Sequence, residues 1–540
     1  MTPRLVSLLV PLCLGLAPLL PAQTPAAPAP RPLSLEEALG LAEAESEAVG
    51  IAGAEVARAL GERRRARSGY FPQLSGAASY TRTLRSQFSA LQSDEDGPSG
   101  PPREDCPSFT PRPGLPVEER LDSLEAAVQC ASDADPFAAF SDLPFGQENA
   151  YRFGLSFSQT LFTGGRLGGQ SQAAAAGVRS AELGLTAARA QLLLDVTRAY
   201  YDAALGDRLV TIAEETLEQA DTTLSQTRLA REVGNQSEFE LLRARVTRDN
   251  QRPVVIQRRA DRDLSYFRLR QVLNLPPEQP LILTTPLGDT SMVRTPAIAA
   301  LVDTPGDTAS AVRAPVRQAE EGVVSQQGLL RVARAQRLPQ VNLTSDYAEL
   351  AYPSDGSPFG TSYFSDWTVA VGLQLPLFTG GRIRGDMDVA RAGLEQARLR
   401  LRQTRERAQL DARDAALQLQ AAIAAWEASA GTEEQAARAY EIAEIRYREG
   451  ISTQTELNEQ RIQLAQAQVN RAQAARDLQV ARTRLALLPA LPLGTDGAAA
   501  VAPAAGSQGV APTQPYQPPR PQTSLTGVPG AGIQTGAVTQ

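Results

Sequence analysis

Leu161-Phe162-Thr163-Gly164-Gly165-Arg166 returns as Leu377-Phe378-Thr379-Gly380-Gly381-Arg382, 216 positions later. Gly234 returns as Gly450 at the same spacing, so the intervening segments align without a gap. Upstream, Tyr70-Phe71-Pro72-Gln73-Leu74 corresponds to Arg337-Leu338-Pro339-Gln340-Val341 at a larger offset, because the first copy holds a longer loop. The chain is therefore two copies of one unit, and such a repeat constrains the architecture more than any single segment does. Each copy reads helix, strand, loop, strand, long helix, turn, helix. At the repeated hexapeptide an alternating segment gives way to a helical one. Its paired glycines accept the backbone angles of that switch, and Thr163 and Thr379 are placed to cap the new helices. Pro72 and Pro339 end the incoming helices. Gly164, Gly165, Gly380 and Gly381 are thus read as structural strand-to-helix junctions, not ligand contacts.

Downstream of each junction, about 167–232 and 383–449 contain no proline and few glycines, and are rich in Ala, Leu, Gln, Arg and Glu. These are strong helix formers. Val196, Ala203, Val210, Leu217 and Leu224 lie seven apart, as do Ala408, Ala415 and Ala422, which is coiled-coil periodicity. Such a helix spans roughly 100 Å, beyond an ordinary globular domain. Shorter helices are expected over about 237–275 and 312–338, stacked along the first long helix. Those over about 453–488 and 34–70 are expected along the second. The turns Gly234-Asn235-Gln236-Ser237 and Gly450-Ile451-Ser452-Thr453 reverse the chain, with Gly at a helix C-terminus and Ser or Thr at the next N-cap.

Four segments alternate with period two. Tyr151, Phe153, Leu155 and Phe157 interleave with Arg152, Gly154, Ser156 and Ser158; Trp367, Val369, Val371 and Leu373 interleave with Thr368, Ala370 and Gly372. The segments near 74–81 and 341–347 do the same. Strands of about ten residues with one apolar and one polar face suit a tilted crossing of a bilayer around a wet interior. Four strands cannot close a membrane barrel, since single chains start at about eight, and open edges are not tolerated in lipid. Several chains must then share one barrel. The loop over 88–147 is long, acidic, rich in Gly and Pro, and carries a short helix near 117–131. It also holds Cys106 and Cys130, and export into an oxidising compartment favours a disulfide between them. The loop near 353–364 is shorter.

Arg4 and the apolar run Leu5–Leu20 read as a secretory signal cleaved near Ala22. Cys13 sits inside that apolar run rather than at its cleavage site, which argues against an acylated cysteine. No later run of about 18 apolar residues predicts a transmembrane helix. A net charge of −7 does not favour nucleic acid. The chain has no Lys and no His, which removes His-based triads, His-ligated metals, P-loop lysines and Schiff-base chemistry. We expect no enzyme, no cofactor and no metal. The segment from 493 to 540, mostly Ala, Pro, Gly, Gln and Thr, cannot bury enough apolar area to fold.

Over about 33–492 the chain resembles the TolC-like outer-membrane efflux family, through the duplicated unit, the two Leu-Phe-Thr-Gly-Gly-Arg junctions and the glycine-bearing tips. The resemblance implies a mainly α protein with a β-barrel part. An antiparallel coiled-coil tunnel would stand below four transmembrane strands per protomer, in a homotrimer sharing twelve. The chain then divides into a signal peptide over 1–22, repeats over 33–275 and 312–492, and a disordered periplasmic tail over 493–540, and the resemblance makes 276–311 an equatorial linker. The protein would be the passive exit duct of a tripartite efflux or type I secretion system, embedded in outer-membrane lipid. Its tips would dock a periplasmic adaptor fed by an inner-membrane pump. By position in the family, Glu456 and Glu459 would form an acidic ring at the entrance. Tyr447 would bond an acid whose place Glu240 occupies, while the family arginine two positions after the tip glycine is replaced by Ser452. The alternative from another class is a periplasmic coiled-coil adaptor or scaffold without a membrane barrel, and it would lack paired amphipathic strands.

Overall fold

The computed structural model describes residues 30–84, 113–132, 148–288, 296–302, 306–353 and 356–494. The signal peptide, Cys106, the side chain of Cys130 with its expected disulfide, most of the first loop and the tail beyond 494 lie outside the described residues.

Both long helices match the expectation from composition. They are α4 (Arg166–Glu232) and α8 (Arg382–Arg448), of 67 residues each. Their seven-residue seams are the buried positions: Val196, Ala203, Val210 and Leu224 on α4, and Ala408, Ala415 and Ala422 on α8. Small seam residues let the backbones approach closely. One close approach is made by glycine: a Cβ added at Gly328 of α7 (Ala314–Ala335) would stand 2.6 Å from the Gly169 carbonyl of α4.

The N-terminal helix expected over 34–70 is broken in two, α1 (Leu35–Glu45) and α2 (Glu47–Ser68). Ser46 takes extended angles and its hydroxyl accepts from Val49 N, so it ends one helix and starts the next. Ser34 opens α1 with a capping box closed by Glu37.

The stacking of the short helices also differs from expectation. α9 (Gln454–Leu487) is continued by α7, because Ala314 N donates to the Pro489 carbonyl at 2.8 Å, and both pack along α8. α1 and α2 instead join α5 (Glu238–Val272) along α4. The reason is a parallel pairing of β1 (Arg31–Leu33) with β4 (Leu281–Leu283), which ties the N-terminal segment to the chain leaving α5. Tyr200, fully buried, locks this joint: its hydroxyl donates to Leu33 O at 3.0 Å and accepts from Thr285 N at 2.9 Å. The largest apolar cluster gathers here, with Leu39, Val196, Tyr201, Leu269, Leu273 and Leu487. Beside it lies α6 (Pro296–Leu301).

The strands β2 (Gln73–Arg82), β3 (Asn149–Phe162), β5 (Gln340–Ala351) and β6 (Phe364–Gln374) form one antiparallel sheet in that order. The register puts Leu155 opposite Tyr347 and Tyr347 opposite Trp367, so the apolar positions of neighbouring strands share a face. Ser156, Asp346 and Thr368 share the other. The apolar face is bare: Trp367, Val369, Val371 and Leu373 are each about two-thirds exposed. Its polar atoms find partners on that same face, Trp367 Nε1 donating to Ser345 Oγ at 3.0 Å and the Tyr347 hydroxyl bonding Glu349. This paired amphipathic sheet contradicts the strandless scaffold alternative. Among the described residues no helix is long and apolar enough to cross a membrane. Inside the loop between β2 and β3, α3 runs over Val117–Ser132.

Candidate functional site

The far ends of the long helices turn back at the two tips. In the first, Gly234 takes φ 82°, Gly234 N donates to Arg231 O and Asn235 N to Ala230 O. In the second, Gly450 takes φ 73°, with Gly450 N to Tyr447 O and Ile451 N to Arg446 O. This is one Schellman closure made twice, satisfying carbonyls a helix end leaves open. Ser237 and Thr453 then cap α5 and α9, accepting from Glu240 N and Glu456 N at 3.3 Å each. The tips present exposed Val233, Phe239 and Ile451.

The structure rearranges the expected gate contacts. Tyr447 does not reach Glu240. Its hydroxyl meets Thr227 Oγ1 at 2.9 Å, and because Thr227 already donates to Thr223 O, the tyrosine is the donor. Tyr447 stands in the last turn of α8, beside the last turns of α4, whereas Glu240 is in the first turn of α5. Glu240 is held from another side. Gln454, buried at the start of α9, donates to Glu240 Oε2 at 2.8 Å once its amide is turned to suit its neighbours. Arg243 lies 3.4 Å from Glu240 and donates to Thr455 Oγ1 at 2.8 Å. A cross-link between the two tips exists, therefore, but it joins α5 to α9 through an amide.

Glu456 and Glu459 lie one turn apart near the start of α9. Glu456 is half-buried, with Arg446 Nε 3.8 Å away, while Glu459 is exposed. The former is therefore partly compensated within its own chain. About two turns into α9 lies a buried cation the sequence did not announce. Arg461 is only 4% exposed, and burial depresses its pKa, the neighbouring Tyr440 acting the other way. Tyr440 is raised, first by burial and then by Glu444. No local signal marks Arg461 or Gln454 as buried; both follow from the rotation of α9 against its neighbouring helices. Among the described residues no cluster of His, Cys, Asp and Glu could hold a metal ion.

At this end of the molecule polar side chains bind one another across helices. Comparison with known proteins gives the family. Toluene efflux pump outer membrane protein TtgF and the probable efflux pump outer membrane protein SepC, both of Pseudomonas putida, are 26% identical over 245 residues, covering 45% of this chain and 49% of each relative. The chain thus spans about half the length of the curated relatives it matches. Among solved structures, CusC aligns with TM-score 0.64 and 17% identity over 85% of this chain and 92% of its own. The open state of the Neisseria gonorrhoeae MtrE outer membrane channel aligns with TM-score 0.63 and 18% identity, over 85% and 89%. These likenesses establish the fold. The sequence profile of the family described as outer membrane efflux protein matches residues 132–275 and 307–489, more than half of the chain, so this protein belongs to the outer membrane efflux protein family.

Proposed function

We propose that three copies of this chain close head to tail into one ring, forming a shared twelve-stranded barrel above a helical tunnel. The ring would be the passive exit duct for a pump and adaptor complex. The observation that carries this reading is a common order of four at every level. The sheet runs β2, β3, β5, β6. On the strand side the helices run α2, α4, α7, α8, and on the tip side α5, α4, α9, α8. One flank always ends in β2, α2 or α5 and the other in β6 or α8. Both flanks are unpaired, which is the signature of a heterologous interface that closes by rotation. The two helical flanks also carry exposed apolar side chains: Phe239, Leu242 and Val246 on α5, and Leu410 and Leu417 on α8. A lone sheet with two bare edges and a bare apolar face would be stable in neither water nor lipid.

In this reading the tips 234–237 and 450–453 receive the adaptor, and Glu456 and Glu459 contribute to a charged entrance. The family supports conduction. The cargo would be set by the pump. The test is cysteine cross-linking between the two flanks, with Leu242→Cys on α5 set against Ile442→Cys on α8 in co-expressed chains, both side chains being exposed and at the same distance from their tip glycines. Interchain products running as a closed trimer are expected, and a monomer in outer-membrane extracts would overturn the ring.

A further inference from the structure

Helix α3 stands outside the order of four. Val117, Leu121, Leu124 and Val128 are exposed by 64%, 52%, 39% and 58%, and no other described element packs along them. Their spacing of four, three and four is a coiled-coil seam, an unusual surface for a helix left in water. We propose that this seam is an interface between copies: the α3 helices of the ring pack against one another in parallel, as a three-helix cap beyond the barrel. The inference rests on the three-chain ring proposed above.

Three observations select a second copy as the occupant. The first is charge. With Leu121 and Val128 at the a positions and Val117 and Leu124 at d, Arg120 falls at g and Glu125 at e. In parallel packing a g residue faces the e residue five places on in its neighbour, so Arg120 meets Glu125 of the next copy. In antiparallel packing e faces e, and Glu118 would oppose Glu125. The second is placement. The chain leaves β2 at Arg82 and re-enters β3 at its register partner Asn149, so a rotational ring delivers its α3 helices at one height and in one direction. The third is length. The 16 residues of α3 are marginal for a stable free helix in water, but tethering to a common ring raises the effective concentration to about millimolar. A lipid surface is the poorer occupant, since Glu118, Glu119, Asp122 and Glu125 outnumber Arg120 and oppose an anionic headgroup layer.

The experiment uses the full chain in outer-membrane vesicles, with Cys106 and Cys130 changed to Ser and single cysteines introduced. Leu124→Cys lies on the seam and Ala126→Cys on the opposite face. Mild oxidation is expected to give interchain disulfides at Leu124→Cys, several-fold above Ala126→Cys, and Leu121→Asp in the same chain should abolish them. Equal products at both positions would overturn the cap. So would quenching of a fluorophore on Leu124→Cys by brominated lipid, which would put the helix on the bilayer. Native electrophoresis of the same samples reads the ring separately. A trimer without seam cross-links ends this inference alone, whereas loss of the trimer in the cysteine-free parent ends both.

Discussion

Arg313 is fully buried at the joint where α9 hands over to α7. Its Nη2 donates to Asp411 Oδ2 at 2.6 Å, and the other Asp411 oxygen accepts from Arg484 at 2.9 Å. Arg484 has a second carboxylate in Asp414, 3.1 Å away, so the two sides of the network are unequal. Asp411→Asn strands a buried cation, a loss of about 3–5 kcal/mol for a broken buried pair. Arg313→Met leaves Asp411 paired with Arg484 and is expected to cost less. Urea midpoints of the two variants check the order, and the reverse order would refute it. Asp207 offers a test in pH. Burial raises its carboxyl pKa, partly offset by the hydrogen bond from the Tyr266 hydroxyl at 2.6 Å. An acid whose folded pKa is raised binds its proton more tightly in the fold, so its contribution is lost as pH rises from the ordinary value through the folded one. Asp207→Asn keeps an acceptor for Tyr266 and should melt at or above the parent at pH 7, the difference closing below about pH 4. Melting curves at both pH values decide it. At this scale the sequence was least legible. The tip glycines and caps could be read because they answer to local backbone rules, but the partner of Tyr447 depends on how α8 is turned against α4, which no spacing encodes.

Elements were more legible, and unevenly so. Strand positions followed from period-two alternation, a property each strand carries in itself, and the 67-residue helices followed from composition and the seven-residue seam. Which short helix stacks on which could not be read, because two non-local links decide it: the β1–β4 pairing and the bond from Ala314 to Pro489. The junctions show how equal sequences diverge in place. Gly164 and Gly380 both take positive φ, 62° and 58°. A Cβ at Gly164 would stand 2.6 Å from Leu338 Cβ, while around Gly380 the protomer leaves open space. Thr163 helps here, its hydroxyl accepting from Leu167 N, although the cap position itself is Gly165. Gly164→Ala combines strain with overpacking, about 1–3 kcal/mol for the latter, and should destabilise more than Gly380→Ala in thermal unfolding. An equal loss at both would mean that a neighbouring chain fills the space at Gly380. In the sheet, Val371→Arg on the bare apolar face should cost about 2–4 kcal/mol near the bilayer midplane, and Gln374→Arg, on the other face, far less. The yield of heat-resistant oligomer measures both, and similar yields would refute the assignment of faces.

At the scale of the whole molecule, threefold repetition turns modest features into large ones. Glu459 is exposed and Glu456 only partly compensated by Arg446, so in the proposed ring six carboxylates would surround one axis. Replacing both with Gln preserves size and removes charge. In planar bilayers the double variant should show lower cation selectivity and weaker block by multivalent cations, and unchanged reversal potentials would place these glutamates away from the pore. The same repetition has a genetic face. Each chain offers one flank ending in β2 and another ending in β6, and a ring needs every joint. A chain with a ruined β6 edge still has a sound β2 edge, and with it can capture a healthy neighbour. In a cell making equal amounts of both, only about one ring in eight would be wholly sound. Alleles damaging a single flank should therefore act dominantly over the wild-type copy, whereas alleles that prevent folding altogether should be recessive.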